Sequence, residues 1–342
     1  LARRPVGKTS KVQDPPKEQQ ERLIEIYAQG QLETALKQAQ FLMQKFPNSL
    51  FLNNICGVIY ESLGELNASL EAYNKALAIK PDYADSHYNL GNVLKAQGKL
   101  AEAIQAYKKT IAIKPNYADA YLNMGNALKD QGKSDMAIDA FNKALAIKPN
   151  YALAHNNKGN LFNGQGKHLE AVESYNKAIA IAPDYFDAHL NMGNALRDLG
   201  KLSESIDSYK RAQAIKPDYA EAWLNMGVAL KDQGQLEEAI EAFEEAIATK
   251  PDYAEAKHNL ADLLKKYSSQ YLQKSKIRTL DTKIKKKHRE NILPKIDSEL
   301  ANHTLQLLSE LQATDKNLRT EYLQIYRTNK IDLNCKRHQA VF

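Results

Sequence analysis

Proline stands at Pro47, Pro81, Pro115, Pro149, Pro183, Pro217 and Pro251, and every interval is 34 residues. A fixed period limits a chain more than any composition does, because each unit must meet its neighbours with the same faces. Glycine keeps the period in two registers, at Gly57, Gly91, Gly125, Gly159, Gly193 and Gly227, and at Gly30, Gly64, Gly98, Gly132, Gly166, Gly200 and Gly234. Small residues recur at Ala35, Ser69, Ala103, Ala137, Ala171, Ser205 and Ala239. Aromatic residues follow four later at Tyr73, Tyr107, Phe141, Tyr175, Tyr209 and Phe243.

Each unit reads as two helices. The first begins at Pro-Asp/Asn-Tyr-Ala, where the Asp or Asn is expected to accept from free backbone N–H groups and an acid three residues on to complete a capping-box-like pair. Asp82/Asp85, Asn116/Asp119, Asp184/Asp187, Asp218/Glu221 and Asp252/Glu255 carry the pattern. A glycine such as Gly98 or Gly132 ends the helix by relieving Cβ strain at the turn. In the second helix Leu100, Ala103, Ile104, Tyr107 and Ile111 share one apolar face, and the next proline stops it. Two such helices cannot bury both apolar faces alone, so the units must stack around one continuous core.

The pattern G-x-x-[LYF], then A-x3-[YF], then P on a 34-residue period resembles the tetratricopeptide repeat. The resemblance implies an all-α, right-handed superhelical solenoid of antiparallel helix pairs. It covers residues 16–267: a degenerate repeat at 16–49, six full repeats over 50–253 and a capping helix at 254–267. The family's early tryptophan survives only as Trp223, its place elsewhere taken by Asn53, His87, Tyr121, His155 and His189. Repeat 152–185 departs most, with Lys158 where neighbours have Leu90, Met124 or Met192; the lysine is read as snorkelling from a groove edge.

Asparagine recurs in the first helices although it is a poor helix former. Asp85, Asn89 and Asn92 lie at spacings of four and three, forming a stripe separate from the apolar Leu90 and Leu94. In tetratricopeptide arrays that stripe lines the concave face. The resemblance therefore implies a ladder of Asn89, Asn123, Asn157, Asn191, Asn225 and Asn259, with Asn92, Asn126, Asn160 and Asn194 beside it. Amides donate and accept, so such a ladder suits the main chain of an extended peptide. The competing expectation is that these residues pair with a neighbouring helix. Each Asn costs about 0.5 kcal/mol of helix propensity against Ala. On the peptide-binding reading, removing several should leave stability unchanged or raise it. Tyr88, Leu122, Leu190 and Leu224 are assigned as apolar groove contacts, and Lys129, Arg197 and Lys231 as basic ones, although charge at a helix C-terminus explains the latter equally. The lysine of the family's carboxylate clamp is missing, its place filled by Tyr88, Leu122, Asn156, Leu190, Leu224 and His258.

Signals for catalysis are weak. DQGKS (130–134) echoes a phosphate loop, but Ala127 replaces the glycine such a loop needs. His87, His155 and His189 recur once per repeat, as packing residues do, and no second ligand lies one turn away; no metal or cofactor is expected. Ser, Cys and acidic residues form no recognisable triad.

The net charge of +6 divides into +4 over residues 1–17, −5 over 18–267 and +7 over 268–342. The array itself is mildly acidic, so the basic total does not indicate nucleic acid. Residues 1–15 read as a disordered basic leader, 268–296 as a basic linker holding KIKKKHRE (283–290), and 297–342 as the helical start of a truncated C-terminal domain. Cys335 and His338 have half of a metal-site spacing. No apolar run spans a membrane, and two cysteines distant in sequence, Cys56 and Cys335, favour a reducing, cytoplasmic compartment.

These features predict a non-enzymatic scaffold that binds an extended segment of a protein partner. One alternative is the substrate-recognition arm of a larger modifying enzyme, by resemblance to the repeats of O-linked N-acetylglucosamine transferase, with catalysis beyond residue 342. The other is a scaffold that self-associates.

Overall fold

The computed structural model describes residues 13–265. Helices α1 (Lys17–Ala28), α2 (Leu32–Lys45), α3 (Leu50–Ser62), α4 (Leu66–Ile79), α5 (Ala84–Ala96), α6 (Leu100–Ile113), α7 (Ala118–Asp130), α8 (Ser134–Ile147), α9 (Ala152–Gly164), α10 (His168–Ile181), α11 (Phe186–Asp198), α12 (Leu202–Ile215), α13 (Ala220–Gln233) and α14 (Leu236–Thr249) follow in order. Residues 254–265 form the described part of a further helix, α15, and there is no strand among the described residues. The basic linker, the C-terminal segment, KIKKKHRE and Cys335/His338 lie outside the described residues, as do positions 1–12 of the expected leader.

The chain packs as two compact units, with the boundary between Ala188 and His189 inside α11. In the first unit the helices pair as α1/α2, α3/α4, α5/α6, α7/α8 and α9/α10. Helices α2, α4, α6 and α8 also pack on the next first helix, and the first helices α3, α5, α7 and α9 touch one another across repeats. In the second unit α13 packs against both α12 and α14. The fold is an all-α tandem array of helix pairs.

The two glycine registers serve different purposes. Gly98 ends α5 at φ +74, with open space where a Cβ would lie, so its requirement is purely conformational. Gly91 lies mid-helix at an ordinary helical φ, but a Cβ there would fall 2.5 Å from Cε1 of Tyr107. The ring lies directly on the backbone of α5. Phe141 covers Gly125 and Phe243 covers Gly227 in the same way, each at 2.6 Å from the would-be Cβ. These aromatic residues are fully buried, and the small residue four positions earlier, Ala103 or Ala137, is equally inaccessible. Where serine takes that place, Ser69 Oγ donates to Gly57 O and Ser205 Oγ to Gly193 O, both at 2.7 Å. The hydroxyl enters the core because it finds a carbonyl acceptor on the partner helix.

The capping-box expectation is overturned. The residues at the N-caps of α5, α7, α9 and α13 are Tyr83, Tyr117, Tyr151 and Tyr219, and none makes a side-chain cap. The preceding turn closes through its own backbone, as where Tyr83 N donates to Lys80 O at 3.2 Å. The first-turn acid is drawn to the next repeat instead: Tyr151 donates to Asp119 Oδ1 at 2.6 Å. Among the caps described, α3 alone shows a side-chain cap, in which Ser49 Oγ accepts from Leu52 N at 3.0 Å. Asp14 joins it by accepting from the Ser49 hydroxyl and the Phe51 amide, so the expected leader is anchored at its last residues.

Gly91→Ala and Gly98→Ala should both lower the unfolding midpoint, for separable reasons. The first overpacks the ring, at a cost of about 1–3 kcal/mol, and pairing it with Tyr107→Leu should recover part of the loss. The second strains the backbone by about 1 kcal/mol, and no change at position 107 should recover it. Thermal unfolding of the four variants checks this.

Candidate functional site

The first-helix asparagines are bonded to one another between repeats. In the first unit Asn123 Nδ2 donates to Asn92 Oδ1 and to the Tyr88 hydroxyl, each at 2.9 Å, and Asn157 Nδ2 donates to Asn126 Oδ1 at 2.9 Å. In the second unit Asn225 Nδ2 donates to Asn194 Oδ1 at 3.2 Å. All of these residues are half-buried. Direct links of this kind offset the helix-propensity cost of Asn, each contributing about 1 kcal/mol net. The expectation that their removal leaves stability untouched is therefore replaced by an expected loss.

Second partners come from the core aromatics. Tyr107 donates to Asn92 Oδ1 at 2.9 Å, Tyr175 to Asn160 Oδ1 at 2.8 Å and Tyr209 to Asn194 Oδ1 at 2.6 Å. Burial pushes each of these phenols above the usual tyrosine range, so each hydroxyl keeps its proton and remains a donor. Phe141 and Phe243 have no hydroxyl to supply in their own repeats.

The other predicted positions divide. Leu122, Leu190 and Leu224 are only 2%, 6% and 3% exposed, so their assignment as apolar groove contacts is corrected: they belong to the interior. Tyr88 is the member of that column that reaches the face, half-buried and stacked on Tyr117 at 4.9 Å between centroids. Asn259 turns Nδ2 back onto Glu255 O at 3.0 Å and accepts from Lys231 Nζ at 3.3 Å, so both are drawn into a local contact at the end of the array. Lys129 lies exposed, 3.7 Å from Asp130. Asn89 follows a repeat with Val58 in the acceptor place, and Asn191 and Arg197 are half-buried on α11.

The former tryptophan position proves to be a donor position. Trp223 Nε1 donates to Pro217 O at 3.1 Å; His87 Nε2 meets Pro81 O at 2.9 Å and His155 Nε2 meets Pro149 O at 3.2 Å. Each ring bonds the proline carbonyl six residues earlier, which accounts for its recurrence once per repeat. The described residues include no group of three or more metal-ligating side chains. Lys158 donates to Asn142 Oδ1 at 2.8 Å with its ammonium 5.5 Å from the Phe162 centroid, and burial followed by repulsion from Lys177 lowers its pKa. DQGKS forms the turn between α7 and α8, where Gly132 takes φ +75.

Two further columns carry no signal that distinguishes them from the turn pattern in the sequence. Glutamine at the turn after the first helix reaches back one repeat: Gln97 Nε2 donates to Asn67 Oδ1 at 3.0 Å, and Gln233 Nε2 to Ser203 Oγ at 2.6 Å. Lysine before the proline lies over the tyrosine after it, Lys114 on Tyr117 at 4.7 Å and Lys148 on Tyr151 at 4.2 Å. Their traces are the recurrence of Gln97, Gln131, Gln165 and Gln233 and of Lys-Pro-Asp/Asn-Tyr, both of which coincide with the turns that Gly and Pro already mark.

Comparison with known proteins agrees with this fold. A family model described as TPR repeat matches residues 57–98, 91–132, 159–196 and 193–234, and one described as Tetratricopeptide repeat matches 118–151 and 220–253. Together they span more than half of the chain, which belongs to the tetratricopeptide-repeat family. No curated protein matches it. Among solved structures, the C-terminal part of a TPR repeat-containing protein from Cytophaga hutchinsonii aligns with TM-score 0.59 at 15% identity, covering 70% of this chain and 99% of that one. The APC/C hetero-tetramer Cut9-Hcn1 aligns with TM-score 0.57 at 16% identity, over 73% of this chain and 49% of that one. YrrB, described as a TPR protein with an unusual peptide-binding site, aligns with TM-score 0.48 at 25% identity, over 55% of this chain and 97% of that one. The first two likenesses show the fold. Among the described residues no helix is long and apolar enough to cross a membrane.

His155 gives a pH test of the proline contact. Burial, reinforced by Lys177 and Lys158 against the Pro149 bond, holds its pKa below the usual value of 6.5. The unfolded chain therefore binds the proton first, and this residue's contribution to stability is lost as pH falls from about 6.5 through the folded value. His155→Trp, with a non-titrating donor as at Trp223, should gain in unfolding midpoint over wild type at pH 5.5 relative to pH 7.5. An unchanged difference between the two pH values would contradict this.

Proposed function

We propose that this chain is a protein-interaction scaffold that holds an extended segment of a partner protein along the face built by its first helices, chiefly through the partner's main chain. Tetratricopeptide arrays are protein-interaction modules, and the observation that carries the finer reading is the cross-repeat amide chain: Asn123 to Asn92, Asn157 to Asn126 and Asn225 to Asn194. Within each unit those bonds hold the amides in place before any partner arrives. Preordered groups lose less entropy on binding than free rotors do. Recognition through main chain tolerates many side chains, so the array would select for an extended, unfolded segment. Tyr88 and Tyr117 add a stacked aromatic pair where a ring or aliphatic side chain of the partner would rest.

The same asparagine columns underlie the resemblance to the repeats of O-linked N-acetylglucosamine transferase. In a chain joined to a catalytic domain, this face would select the substrate in the same manner.

The test uses a neutral, fluorescein-labelled 15-residue peptide of Ala, Ser and Thr. Asn123→Ala, Asn157→Ala and Asn225→Ala together should weaken binding at least tenfold in fluorescence anisotropy, and should lower stability by about 1 kcal/mol per lost inter-repeat bond. Gln97→Ala with Gln233→Ala removes inter-repeat bonds at the turns instead, and should lower stability with affinity unchanged. Wild-type affinity in the triple asparagine variant would overturn the reading.

A further inference from the structure

We infer that the asparagines of each unit are polarised: Asn92 and Asn160 in the first unit and Asn194 in the second offer N–H donors, Asn123 and Asn157 in the first and Asn225 in the second offer carbonyl acceptors, and core tyrosines reinforce that direction. The partner that fits is an extended strand lying between them, which uses the carbonyls of one edge on the first column and the N–H groups of its other edge on the second. This rests on the proposed main-chain binding and specifies how it is achieved.

The polarity follows from which atoms are already committed. An amide has two N–H donors on one side and one acceptor oxygen on the other. Asn92 Oδ1 accepts from both Tyr107 and Asn123, and Asn194 Oδ1 from both Tyr209 and Asn225. Asn160 Oδ1 accepts from Tyr175. With the oxygen turned to the framework, what these amides have to give a ligand is Nδ2–H, Asn92 sharing one of its two with Tyr88. In the other column the commitment is reversed. Asn123 directs Nδ2 to Asn92 and Tyr88, Asn157 directs it to Asn126, and Asn225 to Asn194, which leaves Oδ1 as the ligand-facing atom.

Tyrosine reinforces the direction. Its hydroxyl sits on a ring pinned against the first-helix glycine, Tyr107 on Gly91, Tyr175 on Gly159 and Tyr209 on Gly193. A flipped Asn92 or Asn194 would turn its NH2 against the Nδ2 that now donates to it, from Asn123 or Asn225, and would lose the bond that Tyr107 or Tyr209 donates. Tyr107, Tyr175 and Tyr209 are thus positioning residues, acting on a ligand only through Asn92, Asn160 and Asn194. Phe141 is the built-in exception: Asn126 has no tyrosine hydroxyl behind it, and its oxygen accepts from Asn157.

Isosteric substitution separates this from a uniform ladder. Asn160→Asp with Asn194→Asp keeps the oxygens that accept from Tyr175 and Tyr209 and replaces each outward donor with an acceptor oxygen and a negative charge. With the neutral 15-residue probe, the expected result is at least a tenfold loss of affinity with the unfolding midpoint held. Tyr175→Phe with Tyr209→Phe should weaken binding about three- to tenfold, and Phe141→Tyr should strengthen it. A readout that packing alone would not move is N-methylation: a probe methylated on alternate residues can shift by one residue and keep its free N–H groups on the second column, so it should bind as the parent does, whereas a probe methylated on every residue should not. The tyrosine-to-phenylalanine variant should discriminate less between them.

Equal affinities for the two methylated probes, or wild-type affinity in the double Asp variant, would overturn the polarity. If either occurs while the triple asparagine-to-alanine variant still loses binding, main-chain capture stands and only its direction falls. If that triple variant also binds normally, the proposed function itself has failed.

Discussion

The structure depends on one contact repeated along the chain, an aromatic ring of the second helix laid on a glycine of the first. At 2.5 Å from the would-be Cβ of Gly91, the Tyr107 ring leaves no room for any side chain. The glycine costs helix stability of up to about 1 kcal/mol, which the buried ring offsets through area and dispersion. Because the ring fixes how close the two helices lie, it also fixes where the rest of each first helix is presented. Neighbouring pairs then dock through the next set of buried alanines and leucines, and the 34-residue spacing follows from that requirement.

The hydroxyl at the end of the same ring extends this packing into the polar face. Tyr107, Tyr175 and Tyr209 are buried for most of their length and reach an asparagine with the last atom. One side chain therefore joins the core to the candidate binding surface, and the inter-repeat amide bonds carry the order onward within each unit. Structural and binding roles for asparagine were competing explanations of the sequence. The proposed function joins them, since the bonds that stabilise neighbouring repeats are those that would aim the remaining polar atoms.

Much of the fold was legible because period, proline and glycine report local backbone constraints. Gly98 and Gly132 carry the signature of turn residues on conformational grounds, and both have positive φ. Polar partnerships were not legible, because a side chain's partner depends on which residue of the next repeat lies within about 3 Å. Asp85 and Asp119 carried a capping signature yet serve tyrosines of the following repeat. Leu122 and Leu224 shared a column with the half-exposed Tyr88, and only the packed structure shows that they turn inward. The glutamine column was hidden for the same reason: Gln97 reaches Asn67 across thirty residues.

The proposed capture of main chain by the asparagines is tested directly by mapping where an extended peptide touches the protein. With asparagine side-chain amides 15N-labelled and the neutral 15-residue probe titrated in, shifts should concentrate in the Nδ2 resonances of Asn92, Asn160 and Asn194, with the fold otherwise unperturbed. Shifts confined to residues of the second helices, with those amides silent, would contradict main-chain capture at this face.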